Sequence, residues 1–165
     1  MEHTKSHGRR HPRLRAIALL SGLALVAGGW MMGTAHADAA TLTAQQFHDA
    51  RKFVETDYGR IAYVEFGEGP VALFIHGFLL NGYQWRHQLA GLSDIRRVIA
   101  LDTMAMGYTE KAPDQPLGMK QQAGMIKAFL DALGIDRVDL VGNDSGGGAA
   151  QVFAANNPDR VRTFT

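Results

Sequence analysis

The sequence contains no cysteine among its 165 residues, and this absence removes several kinds of chemistry. It excludes disulfide bonds, thiolate metal sites and thiol nucleophiles. Histidine is sparse as well: beyond residue 37 the histidines are His48, His76 and His87, and none is spaced as a metal-binding pair. We therefore predict a protein that uses neither a metal ion nor an organic cofactor.

The chain also lacks an excess of charge of one sign, since 17 Lys and Arg residues stand against 16 Asp and Glu residues. Residues 1–37 hold five of the basic residues and one of the acidic residues, which leaves 12 basic and 15 acidic residues after them. A mildly acidic segment does not supply the basic surface that nucleic acids require. We predict a small-molecule substrate and no nucleic-acid partner.

The first 37 residues have the features of an export signal. Four arginines between residues 9 and 15 precede an apolar run over 16–32, and Ala35-His36-Ala37 then offers a small-x-small cleavage site. We therefore predict a signal peptide over 1–37 and an exported protein, periplasmic or secreted, that begins near Asp38. The apolar run is at the lower edge of the length that spans a bilayer. A membrane anchor over 16–32 is the alternative, and we expect membrane contact only in that case.

Strand and helix patterns alternate along the rest of the chain and predict an α/β fold with a mostly parallel sheet. A parallel strand at the end of the chain leaves the last layer of the sheet uncovered. We therefore expect residues 38–165 to be the N-terminal portion of a truncated domain. Strand patterns cover 51–56, 60–66, 71–75, 97–101, 137–141 and 161–165, and helix patterns cover 41–50, 82–92, 119–133 and 148–157.

A glycine-rich turn over 142–148 joins the fifth strand to the last helix and carries one carboxylate, Asp144. This layout is typical of a nucleophile elbow, a strained turn that lifts one side chain above the sheet and directs backbone N–H groups at the reacting atom. The positions two before and two after the nucleophile must be small, and Gly142 and Gly146 satisfy this around Asp144. A nucleophilic Ser145 would put Asn at a crowded position. Helix capping is the non-catalytic alternative for Asp144.

Three motifs in register resemble those of the α/β-hydrolase superfamily. The segment His76-Gly77-Phe78 resembles the oxyanion loop, residues 102–109 resemble the Asp-x-x-Gly-x-Gly-x-Ser/Thr loop, and residues 142–146 resemble the elbow. With an aspartate at the nucleophile position, the chain is similar to the branch that contains haloalkane dehalogenases, epoxide hydrolases and haloacetate dehalogenases.

The resemblance implies a hydrolase that forms a covalent ester with a small apolar substrate. Asp144 would be the nucleophile, and the backbone N–H groups of Ser145 and Phe78 would hold the oxyanion. Family members complete this machinery with an acid and a histidine after later strands, which this chain does not reach. The structural residues of the two loops would be His76, Gly77, Gly142 and Gly146.

The chain departs from two of the named subfamilies at one position each. Ser145 stands where haloalkane dehalogenases usually carry a tryptophan that holds the halide, and Leu79 stands where epoxide hydrolases usually carry a proline. Ala105 replaces the first glycine of the 102–109 loop. Two alternatives therefore stay open: an esterase-like or C–C hydrolase with Ser145 as the nucleophile, and a catalytically silent fragment or binding module.

Overall fold

Six strands form one mixed sheet in the computed structural model, which describes residues 41–165. The predicted signal peptide lies outside the described residues. Strands β1 and β2 form an antiparallel hairpin at one side, and β4, β3, β5 and β6 run parallel to one another. The order across the sheet is β1-β2-β4-β3-β5-β6. The strands are β1 Arg51–Thr56, β2 Gly59–Phe66, β3 Val71–Ile75, β4 Arg97–Leu101, β5 Val138–Gly142 and β6 Val161–Phe164.

Four α-helices flank the described sheet. The local sequence explains where α1 begins and which side of α3 is buried. Thr43 starts α1 with a capping box that it completes with Gln46. Apolar residues recur at helical spacing in α3, so that helix has one buried side. No helix in the part described is long and apolar enough to cross a membrane. The helices are α1 Ala44–Asp49, α2 Arg86–Leu92, α3 Met119–Ala132 and α4 Ser145–Asn156, with a 3₁₀ helix Gly82–Trp85 before α2.

Apolar side chains cover both faces of the central strands. On one face Leu73 and Ile75 of β3 pack with Phe129 of α3 and Phe153 of α4. On the other face Phe74 packs with side chains of α1 and α2. Parallel strands covered on both faces read as continuous apolar runs, which is why their positions could be predicted. The predicted α/β architecture with a mostly parallel sheet is confirmed.

The order of the parallel strands brings the three motifs to one edge. The chain passes from β3 to β4 on one side and then crosses to β5 on the other side of β3. Such a reversal opens a crevice at the carboxyl ends of the strands, where ligands bind in open α/β sheets. The loops that follow β3, β4 and β5 are the His76, Asp102 and Asp144 loops.

Candidate active site

Asp144 holds the strained backbone position of the turn between β5 and α4. Its φ is 50° and its ψ is −121°, a combination that residues with a side chain rarely adopt. Such positions cost on the order of 1–3 kcal/mol and persist where the surroundings enforce them. Ser145 is already the first residue of α4. The strain therefore falls on the carboxylate residue.

The glycines around the turn differ in how closely other backbone approaches them. A Cβ atom on Gly142 would lie 2.7 Å from the Cα atom of Gly147, and one on Gly146 would overlap the carbonyl oxygens of Ile75 and His76. A Cβ atom on Gly147 would lie 3.5 Å from the Gly142 oxygen, which is an ordinary contact. The two crowded positions thus flank Asp144 symmetrically.

The Asp144 carboxylate accepts no hydrogen bond within residues 41–165. The residue is exposed, and its side chain accepts no hydrogen bond from the first turn of α4, so it does not cap that helix. A Cβ atom on Gly77 would lie 3.5 Å from Oδ2 of Asp144. The carboxylate therefore stands directly beside the His76–Gly77 loop.

His76 fixes the loop that follows β3. Its imidazole is buried, Nδ1 lies 2.8 Å from the Gly77 oxygen, and Nε2 lies 2.9 Å from the Thr103 backbone nitrogen. Because the Thr103 N–H donates to Nε2, the proton is on Nδ1, which donates to Gly77. Burial lowers the pKa of the imidazole, and the bond to Gly77 and the charge of Asp102 offset part of this effect. The ring is neutral, and both of its nitrogens are occupied.

The backbone N–H groups of Phe78 and Ser145 have no hydrogen-bond acceptor among the described residues. The Gly77 oxygen accepts from His76 Nδ1 and, at 3.2 Å, from the Leu80 N–H. These bonds hold the peptide plane between Gly77 and Phe78. In a trans peptide the Phe78 N–H points away from that oxygen. Both N–H groups are thus available to a negatively charged oxygen.

Asp102 braces the neighbouring loop. Its buried carboxylate accepts the Gly82 N–H at 2.7 Å on Oδ1 and the Tyr108 N–H at 2.9 Å on Oδ2. The loop between these bonds turns through two left-handed residues, Ala105 at a φ of 63° and Gly107 at 57°. The turn therefore forms although alanine replaces the first glycine. With both oxygens engaged by backbone, Asp102 supports the loops around the site.

A largely apolar cavity of about 170 Å³ opens beside Ser145. The sequence does not reveal it, because methionines from separate segments come together here and each resembles ordinary packing. Within residues 41–165 no three His, Asp or Glu side chains cluster as a metal site would require. The apolar wall residues are Phe78, Met104, Met106, Leu117, Met119 and Ala149.

Known proteins resemble this chain in sequence. A family model described as alpha/beta hydrolase fold matches residues 70–165. Epoxide hydrolase 2 of Siraitia grosvenorii is 44% identical over 101 residues, which are 59% of this chain and 32% of that protein. A 2-hydroxy-6-oxo-2,4-heptadienoate hydrolase of Pseudomonas putida is 37% identical over 99 residues, 58% of this chain and 36% of that protein. A haloalkane dehalogenase of Agrobacterium fabrum is 36% identical over 99 residues, 60% and 32% of the two chains.

Solved structures resemble it as well. An epoxide hydrolase from Vigna radiata superposes with a TM-score of 0.65 at 33% identity, over 69% of this chain and 38% of that one. The matched part of the chain spans about a third of the length of its curated relatives. The resemblance predicted from the three motifs is confirmed, and the relatives are hydrolases. The chain belongs to the alpha/beta hydrolase fold family.

Proposed function

We propose that the whole enzyme is a hydrolase in which Asp144 is the nucleophile and forms a covalent ester with a small, largely apolar substrate. The observation that carries the proposal is the left-handed φ of 50° at Asp144. A nucleophile elbow puts its strained conformation on the nucleophile itself, where it exposes the side chain above the sheet. The crowded glycines on both sides of Asp144 support the same assignment.

The chemistry proceeds in two steps. A carboxylate oxygen of Asp144 bonds to a saturated carbon as the bond from that carbon to its leaving group breaks, which leaves an ester. Water then attacks the ester carbonyl, and the backbone N–H groups of Phe78 and Ser145 hold the oxyanion that forms. The oxyanion collapses as the bond between the carbonyl carbon and the alkoxy oxygen breaks, which releases the alcohol and restores the Asp144 carboxylate. Loss of one such donor typically costs about 2.7–4 kcal/mol in an enzyme.

The attacking water needs a general base. His76 does not suit this role, because both of its ring nitrogens bond to the loop backbone and burial lowers its pKa. We assign the base to the histidine that the family resemblance implies after a later strand.

The cavity beside Ser145 has space for a small apolar group. Its volume is about 170 Å³, and a dry protein cavity of about 150 Å³ admits benzene. An apolar group as large as a phenyl ring or a short alkyl chain therefore fits beside Ser145. Epoxides and haloalkanes of this size are the proposed substrate class.

Leu79 and Ser145 depart from the usual epoxide hydrolase and haloalkane dehalogenase patterns. The φ of Leu79 is 58°, whereas proline is fixed near −65°, so this backbone does not accommodate the proline of the epoxide hydrolase pattern. Ser145 provides no indole N–H for a halide. The proposed nucleophile and ester intermediate are common to both subfamilies and do not depend on these two positions.

A second candidate is an esterase-like or C–C hydrolase in which Ser145 attacks the substrate. The relative from Pseudomonas putida and the position of Ser145 in the cavity wall favour it. The helical conformation of Ser145 speaks against it. A catalytically silent module is the third candidate.

Two substitutions separate these candidates when the whole enzyme is assayed with styrene oxide, 1-bromobutane and p-nitrophenyl butyrate. Because Asp144→Asn removes the nucleophile, we expect it to lower kcat/KM by about 1000-fold or more. Ser145→Ala keeps its backbone N–H, and we expect activity within about tenfold of the unchanged enzyme. Asp114→Asn, at an exposed loop carboxylate, is the matched control. Activity of Asp144→Asn is measured at early time points, before the new amide can hydrolyse slowly back to aspartate.

The opposite pattern would reject the proposal. Loss of p-nitrophenyl butyrate hydrolysis in Ser145→Ala, with activity retained in Asp144→Asn, would establish the serine alternative. Failure of the unchanged whole enzyme on all three substrates would favour the silent module.

A further inference from the structure

Gln84 connects the two loops of the site through its side-chain amide. Its Oε1 accepts the Gly77 N–H at 2.9 Å, and its Nε2 donates to Oδ1 of Asn143, also at 2.9 Å. Gly77 directly precedes Phe78, and Asn143 directly precedes Asp144. Gln84 lies 59 residues from Asn143 in the sequence, so this link is a tertiary one.

The orientation of the Gln84 amide follows from its partners. The Gly77 N–H is a donor and requires the carbonyl end of the amide. The NH₂ end therefore faces Asn143, whose Oδ1 accepts. One side chain thus uses both ends of its amide, and each end serves a different loop.

Gln84 is itself held rigidly. It lies in the 3₁₀ helix Gly82–Trp85, which Asn81 caps by accepting the Tyr83 N–H at 3.0 Å. The first residue of that helix, Gly82, donates to Asp102 at 2.7 Å. The short helix that carries Gln84 is therefore also tied to the end of β4.

The two loops meet at the point where Gln84 joins them. A Cβ atom on Gly77 would lie 2.9 Å from Oδ1 of Asn143 and 3.2 Å from Cβ of Asp144. On the strand side, the Asn143 N–H donates to the Ile75 oxygen at 3.1 Å. The Gln84 amide supplies the corresponding restraint on the outer side.

We propose that Gln84 is a positioning residue that fixes the separation between the Phe78 and Ser145 N–H groups. This inference rests on the proposed function, in which those two groups hold the oxyanion. An oxyanion site is effective only when its donors are already in place, because reorganisation during the reaction costs free energy. Gln84 supplies that order without contacting the substrate.

Amide NMR on the ¹⁵N-labelled full chain tests the link itself. Gln84→Met keeps a similar length and removes both hydrogen bonds. We expect hydrogen exchange at the Gly77 amide to become about tenfold faster, the change that loss of one typical hydrogen bond produces. The Phe78 and Ser145 amide resonances should shift, although they lie in other elements. Gln88→Met, at an exposed position of α2, is the matched control and should leave all three amides unchanged.

Gln84→Glu provides the rescue. A carboxylate still accepts the Gly77 N–H, and the Asn143 amide can turn over to donate its NH₂ group to the second oxygen. We therefore expect hydrogen exchange at the Gly77 amide to stay slow. The amide resonances of Phe78 and Ser145 should stay close to those of the unchanged chain. Unchanged amide resonances of Phe78 and Ser145 in Gln84→Met would overturn the proposal.

Kinetics of the whole enzyme separate positioning from simple stabilisation. In single-turnover experiments Gln84→Met should slow hydrolysis of the ester intermediate by about tenfold and leave the rate of its formation within about twofold, because the oxyanion forms only in the hydrolysis step. If Asp144 proves not to be the nucleophile, the proposed function fails while the amide shifts persist. If Asp144 is the nucleophile and Gln84→Met changes neither the rate of ester hydrolysis nor the two amides, the positioning role fails alone.

Discussion

Asp144 keeps a left-handed conformation because close backbone packing on both sides of it restricts the turn. The backbone of Gly146 lies against the carbonyl oxygens at the end of β3, and Gly142 lies against Gly147. These approaches require that Gly142 and Gly146 carry no side chain, whereas Gly147 has room for one. Conformational strain at a single residue is thus maintained by close backbone packing at two others.

This difference predicts opposite effects of alanine at two adjacent glycines. Gly146→Ala forces the backbone of β3 or α4 to move and should lower the free energy of unfolding by about 1–3 kcal/mol or more. Gly147→Ala adds a methyl group at ordinary contact distance in a helix and should raise it by about 0.5–1 kcal/mol. Urea unfolding midpoints of the two variants measure the difference. If Gly147→Ala were destabilised and Gly146→Ala tolerated, the crowded position would be Gly147. That result would fit a nucleophile at Ser145 and contradict the assignment of Asp144.

The elements of the fold differ in how well the sequence predicts them. Strands β3 and β4 were predicted with their observed bounds, because apolar runs between polar loops identify buried strands. The start of α4 was predicted at Gly148 and lies at Ser145. Glycine has low helix propensity, so three glycines in a row favour a turn when the local sequence is considered alone. Packing of Gly146 against β3 overrides that propensity.

Some residues of the site can likewise be predicted from local sequence, and others cannot. The turn around Asp144 and the loop at His76 have local motifs, which placed their residues at one edge of the sheet. Gln84 has no such motif, because a glutamine in an amphipathic pattern is typical of an exposed helix position. Gly77 is only seven residues away in the sequence, but Asn143 becomes a neighbour of Gln84 only when β3 and β5 pair.

At the scale of the whole molecule, strand order creates the site. Because β4 and β5 lie on opposite sides of β3, the loops after all three strands converge at one edge. Asp102 at the end of β4 then anchors the segment that carries Gln84. Each loop is held by hydrogen bonds to another loop, so the arrangement depends on the complete parallel core.

Export remains a prediction for the whole molecule. The arginines before the apolar run and the Ala35-His36-Ala37 site have the order that signal peptidase recognises. N-terminal sequencing of protein recovered outside the cytoplasm should begin at Asp38 or within a few residues of it. Recovery of Met1 in a membrane fraction would support an anchor over 16–32.

The nucleophile can be identified by the destination of one oxygen atom. A single turnover in ¹⁸O-labelled water, with the whole enzyme in excess over styrene oxide or 1-bromobutane, lets water attack the ester carbonyl. Peptide mass analysis should then find one ¹⁸O atom in the Asp144 side chain, and the first product molecule should carry unlabelled oxygen. Label in the product with none at Asp144, together with labelling of Ser145 by a serine-directed phosphonate, would contradict the assignment of Asp144.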